Sequence, residues 1–253
     1  MAVTELKSPP NMSEAEWETR CNLAALYRIL HHLRMTDLVY THMSARVPGE
    51  DNTFLINRYG DLFDEITASS LVKMDMDGNV IGNPERFNRA GFNIHSGVYL
   101  ARADVNCVMH THTRAGIAVS ATERGLLPIS QHSLVVIHDL AYHDYGGPGT
   151  LEERDVVGRS CAKANNIIMR NHGLLALGET IPSAFKRMYY LEQACQIQTA
   201  AVALNEPLIM ISDEVQKATF ELMQTNQSAS DYGEFEWESL LRMLERQGVE
   251  YRC

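Results

Sequence analysis

The sequence predicts an α/β fold in which a central, largely antiparallel sheet is covered by helices on both faces. Apolar side chains recur at helical spacing over residues 17–33, which indicates an amphipathic helix. Short apolar runs flank turn sequences such as Asp77-Gly78-Asn79, which is typical of hairpins. Helical segments alternate with these runs, and each apolar face must pack against another layer. Together these observations predict a three-layer α/β/α sandwich.

Capping residues and turns divide the chain into its elements. Ser13-Glu14-Ala15-Glu16 is a capping sequence that begins the first helix. Thr180 caps a long helix whose first turn tolerates Pro182. The other helices are predicted at residues 92–102, 114–120, 151–165, 213–224 and 234–246. The strands are predicted at residues 40–47, 53–57, 71–76, 80–81, 105–111, 133–137, 166–170 and 174–177, each a short apolar run bounded by turn residues.

The composition is that of an ordinary globular protein, with 253 residues, 45% hydrophobic residues and a net charge of −10. This predicts one domain over residues 1–253, with a flexible tail at 1–12 and a C-terminal helical extension at 206–253. The negative charge argues against binding to nucleic acid or to an anionic membrane. No apolar run approaches the roughly 20 residues of a membrane span, and no signal peptide is evident. Five scattered cysteines without a C-x-x-C pair indicate free thiols. The expected location is the cytoplasm.

Two histidines, His110 and His112, lie two residues apart on a predicted strand, so both rings point to the same face. His172 lies farther along the chain, where another apolar strand meets Gly173. Three neutral imidazoles at strand ends could bind one divalent cation and leave positions open for water or substrate. The alternative is that each histidine is buried separately and bonded to the backbone.

The sequence resembles the class II (metal-dependent) aldolase and adducin-head family, as a diverged, bacterial-type member. The matching stretches are Thr41-His42-Met43-Ser44-Ala45-Arg46, Asp75-Met76-Asp77-Gly78-Asn79-Val80, Ile94-His95-Ser96-Gly97-Val98-Tyr99, Val108-Met109-His110-Thr111-His112-Thr113 and Arg170-Asn171-His172-Gly173. The resemblance implies a sheet of about nine strands and a homotetramer, often with the active site near a subunit interface. It also implies that His110, His112 and His172 bind a divalent metal ion, with zinc expected first and manganese or iron as alternatives.

Three departures from the family pattern bear on activity. Gly91 occupies the position of the glutamate that moves protons in the sugar-phosphate aldolases. Arg89 replaces a hydroxyl residue that holds phosphate there, and Asn57 with Arg58 replaces a companion loop, so these three residues are the predicted substrate-binding residues. An arginine fork suits a planar carboxylate, although both arginines could equally be surface residues. His132 lies close to where the aldolases offer a tyrosine acid, and it is the predicted catalytic acid–base residue.

We expect a metal-dependent lyase that cleaves a carbon–carbon bond in a non-phosphorylated hydroxy- or keto-acid, by retro-aldol reaction or decarboxylation, with the metal as Lewis acid. One alternative is a non-heme Fe(II) oxygenase that acts on an aromatic keto-acid, because three histidines without a carboxylate leave several coordination positions open. A second alternative is a non-catalytic interaction domain like the adducin head, since Gly91 removes the usual base.

Overall fold

Strands and helices alternate along the chain, and the computed structural model describes them for residue 9 and for residues 12–146, 151–226 and 232–253. The strands are β1 (His42–Arg46), β2 (Thr53–Ile56), β3 (Val72–Asp75), β4 (Val80–Ile81), β5 (Cys107–Thr111), β6 (Leu140–His143), β7 (Asn166–Met169) and β8 (Gly173–Gly178). The helices are α1 (Glu14–His32), α2 (Arg89–Ala101), α3 (Arg114–Ser120), α4 (Gln131–Val136), α5 (Leu151–Ser160), α6 (Ile181–Ala203), α7 (Asp213–Asn226) and α8 (Glu234–Arg246). Apart from Pro9 and Met12, the predicted tail at 1–12 lies outside the described residues.

The eight strands form one sheet in the order β4-β3-β2-β1-β5-β8-β7-β6. All neighbouring strands are antiparallel except β6 and β7, which are parallel. The predicted mostly antiparallel sheet is therefore confirmed. The described residues contain eight strands, so the expected count of about nine was too high.

The strand predicted at residues 133–137 is wrong, because this segment begins with helix α4. Ser130 caps the helix by accepting a hydrogen bond from the Ser133 amide, and the Ser133 hydroxyl accepts one from the Ser130 amide in return. A short apolar run fits a buried helix as well as a strand, and here the reciprocal cap selects the helix. Strand β6, which the sequence did not predict, follows after one 3-10 turn at Ile137–Asp139.

Helices cover both faces of the sheet, as predicted. On one face α2 and α5 pack over Phe54, Val108 and Leu175, together with Val98 and Val157 of the two helices themselves. A larger cluster on the other face joins α1, α6 and α8 to the strands, and it includes Leu26, Met43, Met109, Ala176, Met188 and Leu244. The fold is thus a three-layer α/β/α sandwich. No helix within the described ranges is long and apolar enough to cross a membrane.

Two glycines let α2 and α5 approach each other closely. A Cβ atom at Gly158 would lie 2.8 Å from the Gly97 carbonyl oxygen, and one at Gly97 would overlap the carbonyl oxygen of Arg154. Atoms of a folded interior do not approach this closely, so only residues without a side chain fit at this crossing.

The register of β1 and β5 places His42 and His110 side by side. Met109 on β5 contributes to the cluster under α1 and α6, whereas its neighbours Val108 and His110 point toward α2. His42 of β1 is the antiparallel partner of His110, so both rings lie on the face that α2 covers.

Candidate metal centre

Three imidazoles meet at the ends of the neighbouring interior strands β5 and β8. His110 is the next-to-last residue of β5, His112 directly follows that strand, and His172 directly precedes β8. One ring nitrogen from each lies within 4.8 Å of the others, and the ring centroids are 4.7 to 4.9 Å apart. The structure therefore brings together the three histidines that the sequence singled out.

Hydrogen bonds fix which nitrogen of two rings is free. Nδ1 of His110 lies 2.9 Å from the Leu174 carbonyl oxygen, and Nδ1 of His112 lies 2.9 Å from a carboxylate oxygen of Asp37. Because both partners are acceptors, each Nδ1 carries the hydrogen and each Nε2 carries a lone pair. The two Nε2 atoms face each other at 2.9 Å. Two lone pairs at this distance repel, and a shared cation removes the repulsion.

This donor set fits a divalent ion. Two nitrogens bound to one tetrahedral Zn²⁺ at about 2.0–2.1 Å are separated by about 3.3–3.4 Å, so the two Nε2 atoms lie within about 0.5 Å of that spacing. Nδ1 of His172 is buried and has no hydrogen-bond partner among the described residues, as expected where a ring is held for coordination. Hydrogen bonds from ligand rings to a carbonyl and a carboxylate are typical of metal centres.

Burial keeps the rings of His110 and His172 neutral, which coordination requires. It lowers the pKa of His110 well below its usual value, and the neighbouring His42, His172 and His112 lower it further. The pKa of His172 is lowered to about 4, first by burial and then by His112 and His143.

The metal-free protein is expected to lose stability as the pH falls from neutral. An unfolded chain protonates its histidines near the ordinary pKa of 6.5, whereas folded His172 takes up a proton only near 4. Between these values the unfolded state binds more protons, so stability is fully present above about pH 6.5 and decreases toward pH 4. Urea unfolding of chelator-treated protein at about pH 7.5 and about pH 5 measures this. Equal midpoints at the two values would contradict the burial of neutral histidines.

Three non-glycine residues beside the centre have backbone φ angles in the left-handed region. They are Leu38 at +49°, Thr41 at +66° and Asn171 at +58°. Each is the chain neighbour of a side chain at or next to the centre, namely Asp37, His42 and His172. For a β-branched residue such as Thr41 this conformation is unfavourable. Such strain persists where the surrounding structure holds it, and it concentrates at functional sites.

The family model of the class II aldolase and adducin N-terminal domain matches residues 21–199. The chain belongs to this family. A solved aldolase II superfamily protein from Pseudomonas syringae is 45% identical, with a TM-score of 0.89, and the match covers 96% of this chain and 98% of that one. An L-fuculose 1-phosphate aldolase from Glaciozyma antarctica PI12 is 29% identical, with a TM-score of 0.83 and 97% of both chains covered. Alpha-adducin of Mus musculus is 38% identical over 92% of this chain but only 34% of its own length.

The position assigned to the family glutamate is filled differently in this member of the class II aldolase and adducin family. At Gly91 a Cβ atom would lie 2.5 Å from Cδ2 and 2.7 Å from Nε2 of His42. The His42 ring therefore occupies the space into which a side chain at residue 91 would begin. His42 also lies beside the metal-centre histidines, with its ring centroid 5.1 Å from that of His110.

Three of the other four predicted site residues contact neighbours of their own, and the fourth is exposed. Arg58 is half-exposed and its Nε lies 3.1 Å from both carboxylate oxygens of Asp61. Asn57 is buried and accepts a hydrogen bond from the Tyr27 hydroxyl at 2.8 Å. Arg89 is exposed at the first position of α2. His132 is on α4, where its ring packs 5.6 Å from that of Tyr190. The roles proposed for these four residues remain predictions.

Sequence reasoning missed Asp37 and His42. Asp37 is far from His112 in the sequence, and nothing in the spacing connects them. His42 could have been found from the sequence, because an antiparallel pairing of residues 42–45 with 107–110 places His42 opposite His110.

Replacing Asp37 by asparagine is expected to lower metal affinity about 10- to 100-fold. A residue that accepts a hydrogen bond from a metal-binding histidine typically contributes this much to the affinity. The Asp37 carboxylate lies 2.9 Å from Nδ1 of His112 and is half-exposed, so the fold should survive. Chelator competition with a metal-sensitive dye measures the affinity. The matched control is Asp64→Asn, which removes a surface aspartate that pairs loosely with His31 at 3.9 Å. Equal affinities in the two variants would contradict an outer-partner role for Asp37.

Proposed function

We propose that this chain is a metal-dependent lyase that cleaves a carbon–carbon bond in a non-phosphorylated hydroxy- or keto-acid, by retro-aldol reaction or decarboxylation. The observation that carries the proposal is the pair of facing Nε2 atoms of His110 and His112, 2.9 Å apart, with His172 beside them. The proposal includes zinc as the first expected ion, with manganese or iron as alternatives, and a homotetrameric assembly in the cytoplasm. Membership of a family that contains L-fuculose 1-phosphate aldolase supports the reaction class.

His110, His112 and His172 would hold the ion, with Asp37 and the Leu174 carbonyl orienting two of the rings. Once bound, a divalent ion supplies Lewis acidity that draws electrons from substrate oxygens. Asn171, whose backbone is left-handed, directly precedes His172. No protein carboxylate can come from residue 91, because it is glycine and the His42 ring fills the adjoining space.

The first residues of α2 favour a substrate without a phosphate group. A helix N-terminus binds phosphate through free backbone amides. Here the side-chain oxygen of Asn88 already accepts hydrogen bonds from the amides of Ala90 and Gly91, at 3.0 and 3.2 Å. Arg58 is likewise engaged by Asp61. A compact carboxylate therefore suits the site better than a phosphate.

The test begins with protein purified without chelator, whose metal content is measured by elemental analysis. The metal-loaded protein is then offered a panel of hydroxy- and keto-acids, and released carbonyl product or CO2 is followed. We expect about one ion per chain and turnover that stops on chelation and returns with the ion. Stoichiometric metal with no turnover across the panel would argue against the lyase.

Two alternatives have their own outcomes. Oxygen consumption by the Fe(II)-loaded protein with arylpyruvates would favour an oxygenase, for which the three histidines without a carboxylate are the supporting observation. Absence of bound metal would favour an interaction domain, which the 38% identity to alpha-adducin supports.

A further inference from the structure

A buried chain of polar side chains begins beside the metal centre and runs under α2. Nδ1 of His42 lies 2.8 Å from Nε2 of His95, whose Nδ1 contacts the Ser44 hydroxyl at 2.5 Å. The Ser44 hydroxyl lies 2.8 Å from the hydroxyl of Tyr99. All four side chains are at most 3% exposed. None of the three proposed metal-binding histidines belongs to this series of hydrogen-bonded side chains.

The positions of the hydrogens in this series of side chains follow from Tyr99, at the end far from the metal centre. Among the described residues the Tyr99 hydroxyl has one partner, Ser44, and burial raises the pKa of Tyr99 well above its usual value, so the phenol keeps its hydrogen. A buried donor is satisfied only if Tyr99 donates to Ser44. The Ser44 hydroxyl then donates to Nδ1 of His95, and Nε2 of His95 donates to Nδ1 of His42.

His42 must therefore carry its own hydrogen on Nε2. Burial lowers the pKa of both His42 and His95 well below the usual value, so each ring is neutral and has one hydrogen. If every bond in the chain were reversed, the Tyr99 hydrogen would be buried without an acceptor among the described residues. In the other direction the unpaired hydrogen is the one on Nε2 of His42, and this atom is not among the fully buried atoms of the described residues that lack a partner.

The His42 ring lies beside the proposed metal centre, with its centroid 5.1 Å from that of His110. Nε2 of His42 has no hydrogen-bond partner among the described residues. It faces Gly91, where an added Cβ atom would be 2.7 Å away. The ring is tilted by 33° over that of His110.

We propose that His42 is a substrate-binding residue whose Nε2–H donates a hydrogen bond to the carboxylate of the acid bound at His110, His112 and His172. This inference rests on the proposed metal-dependent function. A neutral imidazole is a suitable donor here because it stabilises an anionic oxygen and needs no proton transfer to do so. With Arg58 engaged by Asp61, His42 provides a donor for this anion beside His110.

The first test locates the hydrogen directly. Protein labelled with ¹⁵N-histidine gives ring spectra that distinguish the two tautomers, and the His42 signals are assigned by their loss in His42→Gln. We expect the Nε2–H tautomer of His42 in the wild-type protein at neutral pH. The Nδ1–H tautomer would overturn the proposal, and the tautomer itself is measured on the wild-type protein.

The second test measures binding without turnover. The protein is loaded with Co²⁺, and pyruvate is titrated while the visible absorbance of the ion is followed. We expect His42→Phe, which keeps a ring but loses the donor, to weaken pyruvate binding about 10-fold or more. His42→Gln keeps an N–H near the position of Nε2 and should stay within about 3-fold of wild type. His31→Phe, on the exposed face of α1, is the control and should bind as wild type does.

The outcomes separate the two proposals. If the wild-type protein holds no ion, the proposed function fails and this inference fails with it. If the ion is bound and His42→Phe binds pyruvate as tightly as wild type, or wild type does not bind pyruvate, only the inference fails. Loss of the ion itself in both His42→Phe and His42→Gln would make His42 a ligand and would overturn its role as a donor.

Discussion

Replacing His112 by alanine is expected to abolish stoichiometric binding of the divalent ion. Loss of an outer partner lowers metal affinity about 10- to 100-fold, and loss of a ligand should lower it by more than 100-fold. His112 is only partly buried, with 22% of its side chain exposed, so its removal leaves no closed cavity. The fold should persist while any metal-dependent turnover disappears. Elemental analysis after gel filtration, together with far-UV circular dichroism, measures both effects.

The matched control is His31→Ala, which removes a histidine whose side chain is 53% exposed on α1. This variant should keep about one ion per chain. Wild-type metal content in His112→Ala would exclude the three-histidine centre. Unfolding of His112→Ala in the absence of metal would show instead that His112 serves the fold.

Replacing Gly97 by alanine is expected to lower the free energy of unfolding by about 3 kcal/mol, at the upper end of the usual cost of overpacking. The added Cβ atom would overlap the Arg154 carbonyl oxygen, which belongs to the backbone of α5 and cannot rotate away. Helices α2 and α5 would have to separate, and the cluster between them and the sheet would loosen. Urea unfolding followed by circular dichroism measures the loss.

Gly146→Ala is the control for this prediction, because a Cβ atom at Gly146 meets no atom of the described residues within 4 Å. It should change stability by less than about 0.5 kcal/mol. If Gly97→Ala and Gly146→Ala were equally stable, the close crossing of α2 and α5 would be refuted.

The sequence predicted most elements because their local signals agree with their surroundings. Helix α3 was predicted at residues 114–120 and α8 at 234–246, and both match the observed bounds. The predicted strand at 105–111 contains β5, and the alternation of its side chains placed His110 and His112 on one side. The convergence of His172 with them followed from a shared context, a strand end beside a glycine turn.

Interactions between distant segments account for what the sequence did not predict. The apolar run at 133–137 is typical of a strand, but the hydrogen bonds between Ser130 and Ser133 begin a helix there. The pairing of Asp37 with His112 depends on left-handed turns at residues 34–41, which have no glycine to mark them. The contact of His42 with Gly91 depends on how α2 lies on the sheet, and spacing along one strand carries no information about it.

The pairing of the central strands has a consequence for how the protein acquires its ion. His110 is placed by β1 on one side and β8 on the other, and both partners are distant in the sequence. Such non-local contacts form slowly, because a long loop must close before they stabilise the chain. During refolding, high-affinity metal uptake should therefore coincide with the last cooperative step, and early collapsed species should bind the ion no better than isolated histidines do.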